Sequence, residues 1–340
     1  LREAALYFSG LRQRGLFGID YALKENLSIK DFMQRQQFAV DNEQKLVEDN
    51  LQHQNITLMH GKAVLKDAHT VHVTSNEGET QITGDVILVA TGSLPYNPPE
   101  FPVGGKLVYD SVSILQMDRL PKTMAIVGAG VIGTEYASLF AALGVQVMLI
   151  EPRERMLPFV DTEMIHRLRD QLVLAGVKFA LGSTVTAIKL KGDHIELTMD
   201  GEKMMEFEGA LIATGRQGNS QLLGLEQVGV ELNERGIIAV NANYQTSVPN
   251  IYAAGDVVGF PALASSSMEQ GRVAVLNAFD PAAQQQMSHI VPLSVYAIPE
   301  ISMVGLTEDE CIAKQILHVV GRSYYKDNPR GQIIGDMSGM

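Results

Sequence analysis

Hydrophobic and polar positions repeat themselves along two stretches of this chain, Ile56 to Ser93 and Val177 to Arg216. Each opens on a short apolar run (ITLMH, VKFAL) ahead of a glycine, Gly61 or Gly182, and continues as alternating apolar and polar residues. Period-two alternation marks half-buried strands, and the pairs Glu77-Gly78 and Asp200-Gly201 between alternating runs mark hairpin turns. Each stretch closes on a continuous apolar run ending in Ala-Thr-Gly, at Thr91-Gly92 and Thr214-Gly215, as a buried strand does. The offsets from glycine to threonine nearly match, so the chain carries an internal repeat.

Between the copies lies MAIVGAGVIGTEYASLFAALGVQVMLIE. It predicts a strand over 124–127, a helix to about Leu143 with Ile132, Tyr136, Leu139, Phe140 and Leu143 on one face, and a second strand over 145–150. The turn between strand and helix reads Gly128-Ala129-Gly130-Val131-Ile132-Gly133. Gly128 permits the tight turn, Gly130 lets a pyrophosphate approach the backbone, and Gly133 lets helix and sheet pack closely. A helix N-terminus offers free N–H groups to phosphates. Glu151 stands at the end of the second strand, about 20 residues on, where a carboxylate accepts a ribose diol. It favours NAD, because two negative charges about 4 Å apart cost about 4 kcal/mol at an effective dielectric near 20. Arg153 and Arg155 follow at once, and either could swing to a 2′-phosphate. The corresponding distance ahead of Thr91 falls on Ala5, within LREAALYFSG, where no glycine motif stands.

A length of 340 residues suggests about two domains. With 46% hydrophobic and 19% charged residues, the chain has material for more than one core. The net charge of −12 argues against nucleic acid and membrane surfaces as partners. No apolar run reaches the roughly 18 residues that span a bilayer, and no signal peptide opens the chain. Cys311 is the single cysteine, so neither a disulfide framework nor a cysteine-based metal site is expected. The eight histidines show no metal-ligand spacing. A cytoplasmic protein is expected. The chain opens on Leu1 in a helix-like run and closes on QIIGDMSGM, which reads as a strand starting a hairpin. Both ends are therefore expected to continue in a larger protein.

The segment QTSVPNIYAAGDVVGFPALASSSMEQGRVAV, over 245–275, has the form T-x-x-P-x-I-Y-A-x-G-D followed by a small-residue helix. Together with the two Ala-Thr-Gly strands and the central fingerprint, it resembles the flavin-dependent pyridine nucleotide–disulfide oxidoreductases. The resemblance implies an α/β fold of two doubly wound Rossmann-like domains. The NAD(P) domain (119–246) would be inserted into the FAD domain (1–118 and 247–288), and 289–340 would begin an α+β dimerisation domain, with a homodimer expected. VYAIPEISMVGLTEDEC, over 295–311, is similar to the family's entry into that last domain.

Within the family, the run over 213–272 is most similar to the soluble transhydrogenase group. That implies hydride transfer between NAD(H) and NADP(H) through bound FAD, with both nicotinamide nucleotides using one site in turn. Glu151 departs from this, being more typical of NAD-preferring dihydrolipoamide dehydrogenases. A disulfide reductase of that type remains the alternative, and a non-catalytic nucleotide-sensing module a third reading. The redox cysteine pair would lie before Leu1 and the His-Glu dyad beyond Met340.

The resemblance also implies residue roles. Asp256, held by the Gly255 turn, would accept the ribityl hydroxyls of FAD, and the helix after it, around Ala264, would point toward the flavin. Ala63 would meet the FAD adenine, and Thr91 and Gly92 would line its path. Gly215, Arg216 and Val185 would serve the nicotinamide nucleotide. Glu135 would be catalytic, pairing with a lysine two residues ahead of Leu1. Val131 replaces the gating tyrosine of some relatives. No metal is expected.

Overall fold

The computed structural model describes residues 1–9, 29–280, 282, 285–288, 290–335 and 337–340. In chain order it begins with helices α1 (Arg2–Ser9) and α2 (Ile29–His53) and the strands β1 (Lys62–Leu65), β2 (Thr70–Ser75) and β3 (Gly78–Thr83). Strands β4 (Ile87–Val89), β5 (Ser93–Pro95), β6 (Val108–Tyr109) and β7 (Thr123–Val127) lead to helix α3 (Val131–Ala142). Strand β8 (Gln146–Glu151), helix α4 (Thr162–Leu174) and strand β9 (Lys178–Leu181) precede a second meander, β10 (Val185–Lys191), β11 (His194–Met199) and β12 (Lys203–Phe207). Then come β13 (Gly209–Ile212), β14 (Arg216–Gly218), β15 (Ile251–Ala253) and α5 (Ala264–Phe279). The last elements are β16 (Leu293–Val295), β17 (Ile301–Met303), α6 (Glu308–Ala313) and α7 (Pro329–Ile334).

Two compact units share these elements: 1–45, 97–214 and 292–340 in the first, 46–96 and 215–291 in the second. The cut at Thr214 comes ahead of the boundary expected at 246.

The first unit is built on a five-stranded sheet in the order β6-β13-β7-β8-β9, with every pairing parallel. Parallel strands need crossovers and cover on both faces, which explains their continuous apolar runs. Helices α3 and α4 supply the crossovers β7–α3–β8 and β8–α4–β9. Ile126, Phe140, Leu149, Leu168 and Leu172 are buried together on the helix side. On the opposite face Ile150, Ala210 and Ile212 pack against Ile195, Leu197 and Met199 of β11.

The second unit holds the meander β1-β2-β3, the parallel pair β15-β4 and the antiparallel pair β14-β5. Its smaller core gathers Leu65, Val89, Ile251, Ala253 and Val257.

Both meanders match the repeat. At the second turn Asp200 and Gly201 have φ of 53° and 79°, the two positive values a tight hairpin turn requires. Two local expectations differ from the structure. Residues 56–60 form no strand, whereas their counterpart β9 pairs with β8; a lone extended run has no ladder to join. The strand expected in QIIGDMSGM is helix α7 over its first residues. Asn328 caps it by accepting the Arg330 N–H at 2.8 Å, Pro329 takes the first position, and Gly335 ends it at φ 72°.

Candidate functional site

The first unit carries the fingerprint loop between β7 and α3. Gly128 has φ +107°, and a Cβ there would lie 2.3 Å from the Ala213 carbonyl oxygen. A Cβ at Gly133 would lie 1.8 Å from the Gly128 oxygen. At Gly130 a Cβ would meet nothing within 4 Å. Two glycines are therefore needed for close backbone packing, and the middle one borders open space at the N-cap of α3. That division of labour fits a pyrophosphate over Gly130, with the amides of Val131, Ile132 and Gly133 at the helix start.

Glu151 ends β8 with only 4% of its surface exposed. Its Oε2 accepts the Ala129 N–H at 2.8 Å, and its Oε1 accepts the Arg153 Nε–H at 2.7 Å. Burial pushes the carboxyl up, but the Arg153 guanidinium and the backbone N–H groups outweigh it and hold it below its ordinary value. Of the two arginines offered by the sequence, Arg155 is bonded to the Val160 carbonyl and pairs with Asp309 at 3.0 Å. Arg153, more than half exposed, is the one at Glu151. Val185 is buried in the core shared with Ile150 and Met199.

On α3, Glu135 Oε1 accepts the Tyr296 N–H at 2.8 Å. Burial raises its carboxyl, opposed by that N–H and by the positive charge of Arg2. Beside it, burial and the Glu135 charge push Tyr136 up to about 12. Glu135 is thus an acid whose proton affinity the fold has increased.

The second unit gathers a different set. Gly255 has φ +83°, and its N–H donates to Oε1 of the buried Gln270 at 2.7 Å. Asp256 follows, half-buried, and its Oδ2 accepts the Ser93 Oγ–H at 2.8 Å. Arg216 donates from Nε to Ser93 Oγ at 2.7 Å and from Nη2 to the Ser93 carbonyl at 2.8 Å. Gly92 has φ +72°, and the carbonyls of Thr91 and Gly92 accept hydrogen bonds from Asn219. Gly215 has φ +122°, and its carbonyl accepts the Tyr96 N–H at 3.0 Å. Ala63 is exposed on β1, and Ala264 is the exposed first residue of α5.

Ser93, Gln270 and the Ala129 amide were not singled out by sequence reasoning. Ser93 had a signal, since it holds the position after the first Ala-Thr-Gly that Arg216 holds after the second. Gln270 and the amide had none, because their roles exist only once the turns fold. Arg216, expected on the nicotinamide side, meets Ser93 and Asp256. An acid with Oδ1 taking no hydrogen bond among the described residues suits a polyhydroxyl ligand such as the ribityl chain of FAD. Among the described residues no His, Cys, Asp and Glu group could hold a metal ion, and no helix is long and apolar enough to cross a membrane.

Comparison with known proteins places the chain among flavoprotein oxidoreductases. The chain is 40% identical to a soluble pyridine nucleotide transhydrogenase of Mycobacterium tuberculosis, covering 100% of this chain and 73% of that protein. A soluble pyridine nucleotide transhydrogenase of Marinomonas sp. is 40% identical over 84% of this chain and 61% of its own length. The HOCl-induced flavoprotein disulfide reductase RclA of Escherichia coli, solved as a Cu(II) complex, superposes with a TM-score of 0.87 at 26% identity. That match covers 99% of this chain and 74% of RclA. The family model for pyridine nucleotide-disulphide oxidoreductase matches residues 19–271. With these motifs, this α/β fold and relatives at this identity, the chain belongs to the pyridine nucleotide-disulphide oxidoreductase family.

Proposed function

We propose that the protein is an FAD-dependent oxidoreductase that exchanges hydride between NAD(H) and NADP(H). The choice within the family rests on the likeness to soluble pyridine nucleotide transhydrogenases across the whole chain. The observation that carries nucleotide binding is the fingerprint loop, crowded at Gly128 and Gly133 and open at Gly130. FAD, when bound, supplies the hydride-accepting and hydride-donating chemistry.

The chain's own residues bind and orient. Gly128, Gly130, Val131, Ile132 and Gly133 cradle the pyrophosphate of the nicotinamide nucleotide. Glu151 and Arg153 meet its adenine ribose, with Val185 beside its adenine. The expected nicotinamide-side role of Gly215 and Arg216 has no support in the second unit, where Arg216 meets Ser93 and Asp256. Asp256, Thr91, Gly92, Ala63 and Ala264 hold FAD. Glu135 is the catalytic residue in this reading, and its raised carboxyl, held by Tyr296, suits a group that shares a proton with a neighbouring cation. Residues 119–246 are the NAD(P) domain in this reading, 1–118 and 247–288 the FAD domain, and 289–340 the start of a dimerisation domain in a cytoplasmic homodimer. The fully exposed Leu317 and Val319 are in keeping with an interface there.

The test is the holoenzyme assayed with NADPH and an oxidised NAD analogue. Parallel initial-rate lines are expected, since one site serves both nucleotides in turn. The buried Glu151 carboxylate favours a second reading, an NAD-preferring dihydrolipoamide dehydrogenase. Rapid lipoamide reduction by NADH with negligible transfer between nucleotides would establish that reading instead.

A further inference from the structure

We propose that Ser93 is a positioning residue for the flavin: its hydroxyl keeps Arg216 from closing on Asp256, leaving one carboxylate oxygen free for the ribityl chain. This rests on the reading of Asp256 as the ribityl acceptor and adds a residue that reading does not contain.

The geometry is that of a hydroxyl placed between two charges. β5 and β14 run antiparallel, with Ser93 opposite Gly218 and Pro95 opposite Arg216. The Arg216 guanidinium crosses back along the pair and grips Ser93 twice, Nε to Oγ at 2.7 Å and Nη2 to the carbonyl at 2.8 Å. A serine hydroxyl has one proton. Because Oγ accepts from Arg216, that proton goes to Asp256 Oδ2, 2.8 Å away. Arg216 Nε itself stands 4.0 Å from the same Oδ2, beyond hydrogen-bond length.

The backbone at Asp256 is fixed from the other side. Gly255 donates to Gln270, which is 2% exposed and anchored in α5. With the backbone pinned, the rotation of the carboxylate is set by what Oδ2 meets. Ser93 holds it by one oxygen only, and Oδ1 takes no hydrogen bond among the described residues. Without the hydroxyl, Arg216 Nε loses its acceptor, and the guanidinium, left with the Ser93 carbonyl alone, is free to turn toward the carboxylate. Such a pair prefers the two-pronged arrangement that uses both carboxylate oxygens, and a ribityl hydroxyl would then have to compete with Arg216.

The experiment measures FAD dissociation constants of the protein by flavin fluorescence. The variants are Ser93→Ala, Ser93→Thr, Arg216→Gln, the double variant Ser93→Ala with Arg216→Gln, and Asp256→Asn. Ser93→Ala is expected to weaken FAD about tenfold, and Ser93→Thr, which keeps the hydroxyl, to stay within about twofold. In the Arg216→Gln background the Ser93→Ala loss should shrink to about twofold, since the cation that would close is gone. An equal loss in both backgrounds would overturn the proposal, because the hydroxyl would then act by local packing alone. Wild-type affinity in Ser93→Ala, with Asp256→Asn weakened, would overturn it while sparing the Asp256 reading. Unchanged affinity in Asp256→Asn would remove that reading and this proposal with it.

Discussion

The two copies of the repeat share one hydrogen-bonding plan and differ in what lies behind it. β1-β2-β3 and β10-β11-β12 are both antiparallel meanders. In the second copy β11 alternates half-buried and buried residues, and Ile195, Leu197 and Met199 close a core with the parallel sheet. In the first copy all six residues of β3 are exposed, and Leu65 and Val73 are the meander's buried apolar residues. The Ala-Thr-Gly strands repeat the contrast. β13 lies between β6 and β7 with all four residues buried, whereas β4 pairs with β15 and leaves Leu88 exposed. Strand pairing sets register in both copies, but burial requires a second layer, and the two layers differ.

The largest expected effect follows from that difference. Leu197→Ala, in the buried meander, should cost about 2–5 kcal/mol of stability, the range for a leucine removed from a packed core. Ile82→Ala, on the exposed β3, should change stability by no more than about 0.5 kcal/mol. Urea unfolding of both variants checks this. Equal losses would show that β3 is covered in solution and would erase the contrast between copies.

Sequence and structure agree where local signals and long-range packing demand the same thing. The run from Met124 to Glu151 was legible because strand, glycine turn, helix and second strand each carry their own pattern. The hairpin turns were legible because Gly78 and Gly201 supply backbone that other residues resist. Residues 56–60 misled, since an apolar run becomes a strand only beside a partner. Gln332 to Ile334 misled for the opposite reason: two isoleucines suggest a strand, but Asn328, Pro329 and Gly335 punctuate a helix. Site legibility followed the same line. Gly128, Gly133, Glu151 and Asp256 sit in motifs whose spacing marks them as candidates, and at Gly128 and Gly133 the close packing is present. The Arg216–Ser93–Asp256 set joins residues far apart in sequence and became visible only through side-chain distances.

A smaller effect compares one glycine from each copy's neighbourhood. An alanine at Gly133 would place its Cβ 1.8 Å from a backbone oxygen within the packed turn between β7 and α3. At Gly61 the nearest atoms are Val73 Cγ1 at 2.7 Å and the Thr74 oxygen at 2.8 Å, on the edge of the exposed meander. Gly133→Ala should therefore cost about 1–3 kcal/mol by overpacking and weaken ADP-ribose binding. Gly61→Ala should cost less, because a meander with little behind it can shift. Thermal unfolding and calorimetric titration with ADP-ribose separate the two. A larger loss at Gly61 would mean that the first copy is the more rigid.

The smallest effect concerns acid. Glu151, in the fingerprint segment ahead of the second copy, and Asp67, within the first copy, both titrate below their ordinary values, for different reasons. Burial raises Glu151, and the Arg153 guanidinium with the Ala129 N–H more than reverses that. Asp67 is exposed and lowered by the His69 N–H. A carboxyl depressed in the folded state adds stability that is complete above its unfolded value and is lost as pH falls toward the folded one. Lowering the pH through and below the ordinary glutamate range should therefore remove the stability that Glu151 contributes. Glu151→Gln should flatten that part of the stability profile, while Asp67→Asn should leave it close to wild type, because water already competes for its charge. Protonation of Glu151 also weakens the acceptor that holds the Ala129 amide, so ADP-ribose affinity should fall over the same interval in wild type and much less in Glu151→Gln. Parallel loss of affinity in both proteins would place the acid-sensitive group elsewhere in the fingerprint loop and leave Glu151 a packing residue.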